Sequence, residues 1–316
     1  MKNIKRVLLF TLIFLITFLP NIVILSYEPN EVLISQTFSS KTVLLNEFMK
    51  AKEELLINIY GWTDFDFIPT LINIAKKGVK IKVMLEEAPY LSETQNFDIR
   101  DMLRKYGIEV RWAKEDFFLT HAKYIVIDGA IAIVLTGNFT YSSFSKNREF
   151  GLITYNTENA QVLRNLFYAD FERLHFQNTN PNVLVSPIDS RVKVENALKS
   201  AKKSVKIWEQ SISDPEIVKL LQDLKKQGVD VKILMPVSYA SSTKEYLGDS
   251  VLALPNPYIH AKAFIVDDSF AYIGSNNFTT PSFDNEREVA LFTYDSEVIN
   301  ELKMIWDWDL SHSYSP

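Results

Sequence analysis

The 316-residue chain holds four histidines, and two of them open nearly the same phrase: HAKYIVIDGAIAIVLTGNFT from His121 and HAKAFIVDDSFAYIGSNNFT from His260. In each phrase the histidine and a lysine, Lys123 or Lys262, stand at i and i+2 of a run that reads as a strand, so they leave the same face. Tyr124 and Val126 are expected on that face too, with Asp128 beside them or turned aside at the strand end. A strand and a turn later come a hydroxyl and an amide, Thr136 and Asn138 or Ser275 and Asn277. An Arg-Glu pair follows, Arg148-Glu149 or Arg287-Glu288. Each set gathers a group that titrates near neutral pH, a cation, an amide donor and a carboxylate able to orient an imidazole. Lysine and asparagine can hold phosphate oxygens, and histidine can act as nucleophile or proton carrier. Two such sets facing each other would put histidines on opposite sides of one phosphorus, as in-line displacement requires. Packing alone would keep the apolar positions and release the polar ones, yet Tyr124 faces Ala263 in the alignment while His, Lys, Asp, Asn, Arg and Glu all recur.

The elements that must position these residues are duplicated as well. AKEELLINIYGWTDFDFIPTLINIAKKGVKIKVML from Ala51 matches AKKSVKIWEQSISDPEIVKLLQDLKKQGVDVKILM from Ala201 at an offset of 150, and the histidine phrases match at 139. A length difference of eleven residues, in PYLSETQNFDIRDMLRKYGIEVRW, separates the two registers. Each copy reads as strand, helix, strand, then a hairpin and a closing helix, which favours parallel pairing within a mixed sheet. Thr63 with Asp66, and Ser213 with Glu216, read as helix-start capping pairs, and Gly78 and Gly228 as helix ends. Hairpin turns are expected at Asp128-Gly129 and Asp268-Ser269, and closing helices from about residues 158 and 297. The expected fold is α/β: two pseudo-symmetric lobes, 29–176 and 183–312, each a mixed sheet flanked by helices, joined by the polar linker QNTNPN.

Composition narrows the partners. The formal charge is −5, and without the first 28 residues the remainder carries −7, with 31 basic against 38 acidic side chains. Binding to nucleic acid through bulk charge usually needs the opposite sign. With no cysteine, thiolate nucleophiles and cysteine-ligated metals are excluded. MKNIKR followed by the apolar run VLLFTLIFLITFL reads as a signal peptide or N-terminal membrane anchor over residues 1–28, placing the body outside the cytoplasm, anchored or secreted.

HxK, four residues, Asp, six residues and GSxN is the signature of the phospholipase D superfamily, and this chain resembles that superfamily in both copies. His260, Lys262, Asp267 and Gly274-Ser275-Asn276-Asn277 fit at every position; His121, Lys123 and Asp128 fit, but Leu135-Thr136-Gly137-Asn138 replaces GSxN. Leu135 in place of glycine is expected to limit how closely substrate or backbone approaches the first half-site. The resemblance implies a metal-independent phosphodiesterase with no cofactor and one active site at the lobe interface. The catalytic set it implies is His121, Lys123, Asp128, His260, Lys262 and Asp267, with His121 as nucleophile and His260 as acid/base. Lys123, Lys262, Asn138 and Asn277 would bind phosphate. Glu149 and Glu288 would bond the distal imidazole nitrogens, with Thr136 and Ser275 in support, while Asp128 and Asp267 would stabilise the motif loops.

Among the remaining residues, His175 is expected to cap a helix end and His312 to be solvated. Trp62, Phe65, Phe67, Phe117, Phe118 and Tyr258 are expected to pack between lobes, with contact to acyl chains or stacking on bases as alternatives; Phe117, Phe118 and Tyr258 precede the motif strands, where the cleft mouth is expected. With both half-sites in one chain, the expected state is a monomer without an obligatory protein partner. The favoured reading is hydrolysis of a phosphodiester at a phospholipid membrane surface; the alternatives are an exported nuclease acting on nucleic acid, or a phosphatidyltransferase. Synthases of this kind typically carry more extensive membrane segments than the one here, which weighs for hydrolysis.

Overall fold

The computed structural model describes residues 30–35, 38–90, 92 and 94–316. The proposed N-terminal anchor lies outside the described residues, and among those described no helix is long and apolar enough to cross a membrane.

In the first lobe the strands are β1 (Glu31–Ser35), β2 (Glu54–Ile59), β3 (Lys80–Leu85), β4 (Glu109–Trp112), β5 (Tyr124–Ile127), β6 (Ile131–Leu135), β7 (Asn147–Arg148) and β8 (Phe150–Thr154). The helices are α1 (Phe38–Phe48), α2 (Ile68–Lys76), α3 (Phe97–Lys105), α4 (Tyr141–Ser145) and α5 (Thr157–Phe171). The second lobe repeats them as β9 (Val183–Ser186), β10 (Ser204–Glu209), β11 (Asp230–Pro236), β12 (Val251–Leu254), β13 (Tyr258–Ile259), β14 (Lys262–Val266), β15 (Phe270–Gly274) and β16 (Glu288–Thr293). Its helices are α6 (Ser190–Lys199), α7 (Pro215–Lys226), α8 (Val237–Leu247), α9 (Thr280–Asp284) and α10 (Ser296–Ser311). One sheet runs β1-β8-β6-β5-β2-β3-β4 and the other β9-β16-β15-β14-β10-β11-β12, the same topology twice. β2 lies parallel to β3 and β10 to β11, whereas the motif strands β5 and β14 are antiparallel to their neighbours. The mixed α/β architecture read from the sequence is therefore present in both lobes.

Local chemistry explains the boundaries. Gly78 and Gly228 end their helices at φ +91° and +89°, a left-handed conformation that glycine adopts without a Cβ penalty. The starts fall one residue later than expected: Asp64 accepts from Asp66 N, and Asp214 from Glu216 N and Ile217 N. Thr63 and Ser213 instead give their backbone N–H groups to Phe139 O and Phe278 O, which ties the strand exit to the loop after the hairpin. The hairpins turn through Asp128 (φ 51°) and Gly129 (62°), and through Asp267 (51°) and Asp268 (54°), so the second turn also sits one residue from its expected place. Positive φ at both central residues matches the strands' right-handed twist.

Strand alternation feeds three cores. Leu55, Ile57, Ile125 and Ile127 enter a core outside the first sheet, and Val205, Ile207, Phe264 and Val266 one outside the second. Leu56, Tyr124, Val126, Trp208, Ala263 and Ile265 meet between the sheets with Leu163, Leu166, Phe167, Leu302 and Trp306 of the closing helices α5 and α10. Tyr124 and Val126 thus point into the interlobe core, opposite the parity of Lys123, and not to the histidine face as expected. Phe150 of one lobe meets Trp208 of the other edge to face at 5.1 Å, and Trp208 meets Trp306 at 4.8 Å. The lobes are also stitched through backbone: β7 pairs with β13, and Thr120 bridges Arg287 in the equivalent place.

Candidate active site

Those two stitches deliver the motif histidines. The backbone N–H of His121 donates to Arg287 O at 2.9 Å, and that of His260 to Arg148 O at 3.2 Å, so each is hung from the other lobe. The arginines reach back across the interface. Arg148 forks onto Asp309 at 2.9 and 2.6 Å, sharing that carboxylate with Trp208 Nε1 at 2.8 Å, and Arg287 lies 3.0 and 2.9 Å from the oxygens of Asp170. Asp170 and Asp309 stand 139 residues apart, so they are one position of the duplication.

The residue after each arginine completes the imidazole of the opposite lobe. His121 Nδ1 lies 2.9 Å from Glu288 Oε1 and His260 Nδ1 lies 2.6 Å from Glu149 Oε1, both carboxylates being fully buried. The expected glutamate-imidazole bonds are thus made, and both cross the interface. Lys123 and Lys262, also fully buried, fold back onto the carbonyls of His121 and His260. That pose aims each ammonium beside the imidazole. The two histidines are near enough that each other's environment matters: burial first, then Lys123, Lys262 and His260, hold His121 well below its ordinary value. Burial also lowers His260, against the opposing pull of Glu149. Burial brings Lys123 down to about 7 and lowers Lys262.

The two carboxylates differ. Burial raises Glu149, but His260, Lys262 and the Thr136 hydroxyl outweigh it and hold the group at about 2. Burial lifts Glu288 to about 7 against the pull of Lys123. The largest difference is the charge of His260, which acts on Glu149 and has no counterpart at Glu288; hydrogen bonds differ as well. Thr136 Oγ1 donates to Glu149 Oε2 at 2.7 Å and Asn147 Nδ2 to its Oε1 at 3.3 Å, whereas the Ser275 hydroxyl donates to Val289 O at 3.2 Å. In place of Asn147 the second lobe carries Glu286, itself pushed up to about 7 by burial and then by Glu288.

Asn138 Oδ1 accepts from Gly61 N at 3.2 Å, and Asn277 Oδ1 is buried without a partner at the cleft. Asp128 and Asp267, grouped with the catalytic residues in the sequence, are not in the site. They lie at the far ends of β5 and β14, roughly 16 Å from the lysines at strand rise. There each carboxylate accepts three backbone N–H bonds, from Lys52, Glu53 and Glu54 or from Lys202, Lys203 and Ser204. Their task is to fasten the hairpin to the start of the neighbouring strand.

Leu135 does not narrow the site either. Leu135 pairs with Gly151 and Gly274 with Ala290. A Cβ on Gly274 would meet that of Ala290 at 2.2 Å, and one on Gly151 would meet Leu135 Cδ2 at 2.5 Å. The glycine has simply moved to the partner strand, and the first lobe's departure from GSxN is a packing exchange inside the sheet.

The cleft beside His121 encloses about 490 Å³ and has two unlike walls. Tyr60, Tyr90, Phe118 and Leu119 come from the first lobe; Ser213, Asn277, Thr279, Pro281, Ser282 and Glu286 come from the second. Tyr60 stands edge-on to His121 at 4.6 Å and beneath Lys123 at 5.2 Å. Its counterpart Gln210 accepts from Lys262 at 3.4 Å. Tyr90 and Phe118, each 73% exposed, lie in the segments before α3 and after β4, where the first copy is longer.

Sequence reasoning missed Tyr60, Glu286 and Glu209, whose buried carboxyl is pushed well above its usual range by burial, opposite Lys262. Glu209 was visible as a lone acid closing the apolar strand VKIWE. Of the other residues, Trp62 and Phe67 are core, Phe65 is exposed, Phe117 covers Arg287 at 4.1 Å and the Tyr258 hydroxyl meets Gln210. His175 is exposed beyond the end of α5 and caps nothing; His312, at the end of α10, stacks on Trp308 at 4.1 Å.

A doubled His-Lys site at the interface of two repeated lobes defines the phospholipase D superfamily, and the chain belongs to it: residues 44–171 and 194–310 match the family described as cardiolipin synthase, PLD-like domain. The chain is similar to cardiolipin synthase 1 of Bacillus cereus, 24% identical over 341 residues, 88% of this chain and 65% of that protein. The major cardiolipin synthase of Bacillus subtilis is 25% identical over 328 residues, 84% of this chain and 66% of that protein. The chain therefore spans less than two thirds of the length of these relatives, 65% and 66%. Among solved structures, phosphatidylserine synthase of Haemophilus influenzae shares the fold with a TM-score of 0.74 at 12% identity, covering 91% of this chain and 87% of that one.

Proposed function

We propose that the protein is a phosphatidyltransferase of the phospholipase D type, joining a phosphatidyl group to an alcohol through a phosphohistidine. The observation that carries the chemistry is the crossed pairing of His121 with Glu288 and His260 with Glu149, the two imidazoles lying near enough for the charge of His260 to bear on His121. Transfer in place of the hydrolysis favoured on sequence is supported by the relatives, whose names are those of synthases.

In this reading His121 Nε2 attacks phosphorus and the bond to the departing alcohol oxygen breaks, with His260 giving that oxygen a proton. The acceptor hydroxyl then gives its proton to His260, attacks phosphorus from the side the first alcohol left, and His121 is released. Lys123, Lys262, Asn138 and Asn277 hold the non-bridging oxygens. The ordering of the histidines follows from their carboxylates: Glu149, firmly ionised, stabilises the imidazolium that His260 must form, and the neutral His121 keeps its lone pair. An incoming phosphodiester anion favours the charged forms of the lysines and of His260, which takes its proton from solvent as substrate binds and then passes it to the leaving oxygen. The aromatic wall fits glyceride and acyl chains, and the acidic body disfavours a polyanionic nucleic acid.

The test is incubation of the detergent-solubilised full chain, in EDTA, with phosphatidylglycerol vesicles and separately with single- and double-stranded DNA. Cardiolipin and free glycerol as products support transfer. Phosphatidic acid alone returns the hydrolytic reading, and cleavage of DNA alone overturns the lipid one.

A further inference from the structure

The second half-site contains a group that the first lacks. Glu286 occupies the position of Asn147, and its Oε2 accepts from Ser282 Oγ at 2.8 Å while the residue lines the cleft. Ligand-capable atoms of His121, Glu286 and Glu288 all lie within 4.8 Å of one another. Proximity alone would mean little, but the pseudo-symmetric partner supplies a control. Both oxygens of Glu149 are engaged, by His260 and Asn147 on one side and Thr136 on the other. Glu288 is equally buried, yet its Oε2 has no hydrogen bond of good geometry, only the nearby side chains of Ser275, Ser282 and Glu286. A buried carboxylate oxygen left unpaired carries a desolvation penalty that a ligand can relieve.

We propose that His121, Glu286 and Glu288 form a binding site for a transition-metal dication of the Zn²⁺ class, entered from the cleft, and that the ion arrests the enzyme by seizing the His121 imidazole together with the carboxylate that positions it. One imidazole nitrogen with two carboxylates is a donor set that zinc accepts, at about 2.0–2.2 Å per ligand, so atoms spread over 4.8 Å need close by only about an ångström. Three protein ligands leave the fourth position to water or a phosphate oxygen on the cleft side. Mg²⁺ and Ca²⁺ demand about six or more oxygen ligands, whereas this set offers one nitrogen and two carboxylates. The first half-site cannot do the same, because Asn147 donates to its glutamate where Glu286 would ligate. The ion is an inhibitor and takes no part in the chemistry, so EDTA leaves basal turnover intact or raises it.

The binding claim stands apart from the proposed function, and only the arrest rests on it. The detergent-solubilised full chain, stripped with EDTA and dialysed, is titrated calorimetrically with ZnCl₂, MgCl₂ and CaCl₂. One zinc per chain is expected, with no magnesium or calcium binding, and Glu286→Asn and Glu286→Gln, each verified by thermal melting, should weaken zinc at least about tenfold. Zinc should stop turnover in the parent, EDTA should restore it, and the concentration for half inhibition should rise in parallel in both variants. Absence of stoichiometric zinc, or unchanged affinity in both variants, overturns the site. Zinc bound through Glu286 without loss of turnover overturns the arrest. A chain inactive on every lipid would sink the transferase reading while the calorimetry still decides the site.

Discussion

The half-sites around His121 and His260 share their backbone suspension, their lysine and their cross-lobe glutamate, and differ in what surrounds them. His260 pairs with a glutamate whose other bonds come from Thr136 and Asn147; His121 pairs with one whose neighbours are Glu286 and a serine turned to the backbone. Beneath His121 lies Tyr60, and near Lys262 lies Gln210. Duplication preserved the lysines and the cross-lobe glutamates and let the groups around those glutamates diverge. The asymmetry between the half-sites therefore lies in the carboxylates' surroundings and not in the first motif's lost glycine.

Breaking either half should stop catalysis, and His260→Asn is expected to lower turnover by about 10⁴-fold or more. With a p-nitrophenyl phosphodiester, whose leaving group needs no proton, that variant should still phosphorylate His121, detected as a covalent adduct by mass spectrometry, whereas His121→Asn should form none. An adduct on the other histidine would reverse the roles.

Next in size is the loss of an interface fork. Asp309 is fully buried beneath Arg148 and Trp208, and removing one partner of a buried pair costs about 3–5 kcal/mol. Asp309→Ala, read by urea denaturation, should lose that much, and Asp170→Ala a similar amount.

The glycine exchange predicts a smaller, non-additive effect. Leu135→Gly should destabilise by about 2–4 kcal/mol through the cavity it opens. Adding Gly151→Ala, which recreates the second lobe's pair, should recover about 1 kcal/mol, a coupling that denaturation of the four forms measures. Full additivity would mean that the two positions do not compensate.

The mildest effect is that of pH. Lys123, near 7 in the free enzyme, is charged below that pH and neutral above it, while the phosphodiester stays anionic throughout. kcat/KM should therefore fall as pH rises past about 7, and the corresponding limb of kcat should lie higher because bound phosphate favours the charged ammonium. Superimposable limbs in the two profiles would contradict the assignment of Lys123 to phosphate.

Much of this was legible in the sequence because the chain states it twice. The strand-helix-strand order, the hairpins and the closing helices follow from periodicity and from Gly78 and Gly228, and the motif residues follow from recurrence. Asp170 and Asp309 obey the same 139-residue spacing and could have been found by extending the comparison into the closing helices. What could not be read was which lobe's glutamate serves which histidine, since pairing across an interface leaves no trace in spacing. Asp128 and Asp267 stabilise the hairpins, as the resemblance implied, but do not belong with the catalytic set: recurrence marks a shared requirement, and theirs is to cap three backbone N–H groups. Glu286 and Tyr60 were hidden because the duplication does not repeat them.

Crossed pairing is the central claim, and imidazole ¹⁵N spectra of the chain, with only four histidines to assign, test it most directly. Glu149→Gln should shift the His260 nitrogens and leave those of His121 nearly unmoved, and Glu288→Gln should do the reverse. If Glu149→Gln perturbs His121 instead, each lobe serves its own histidine and the interleaved site is wrong.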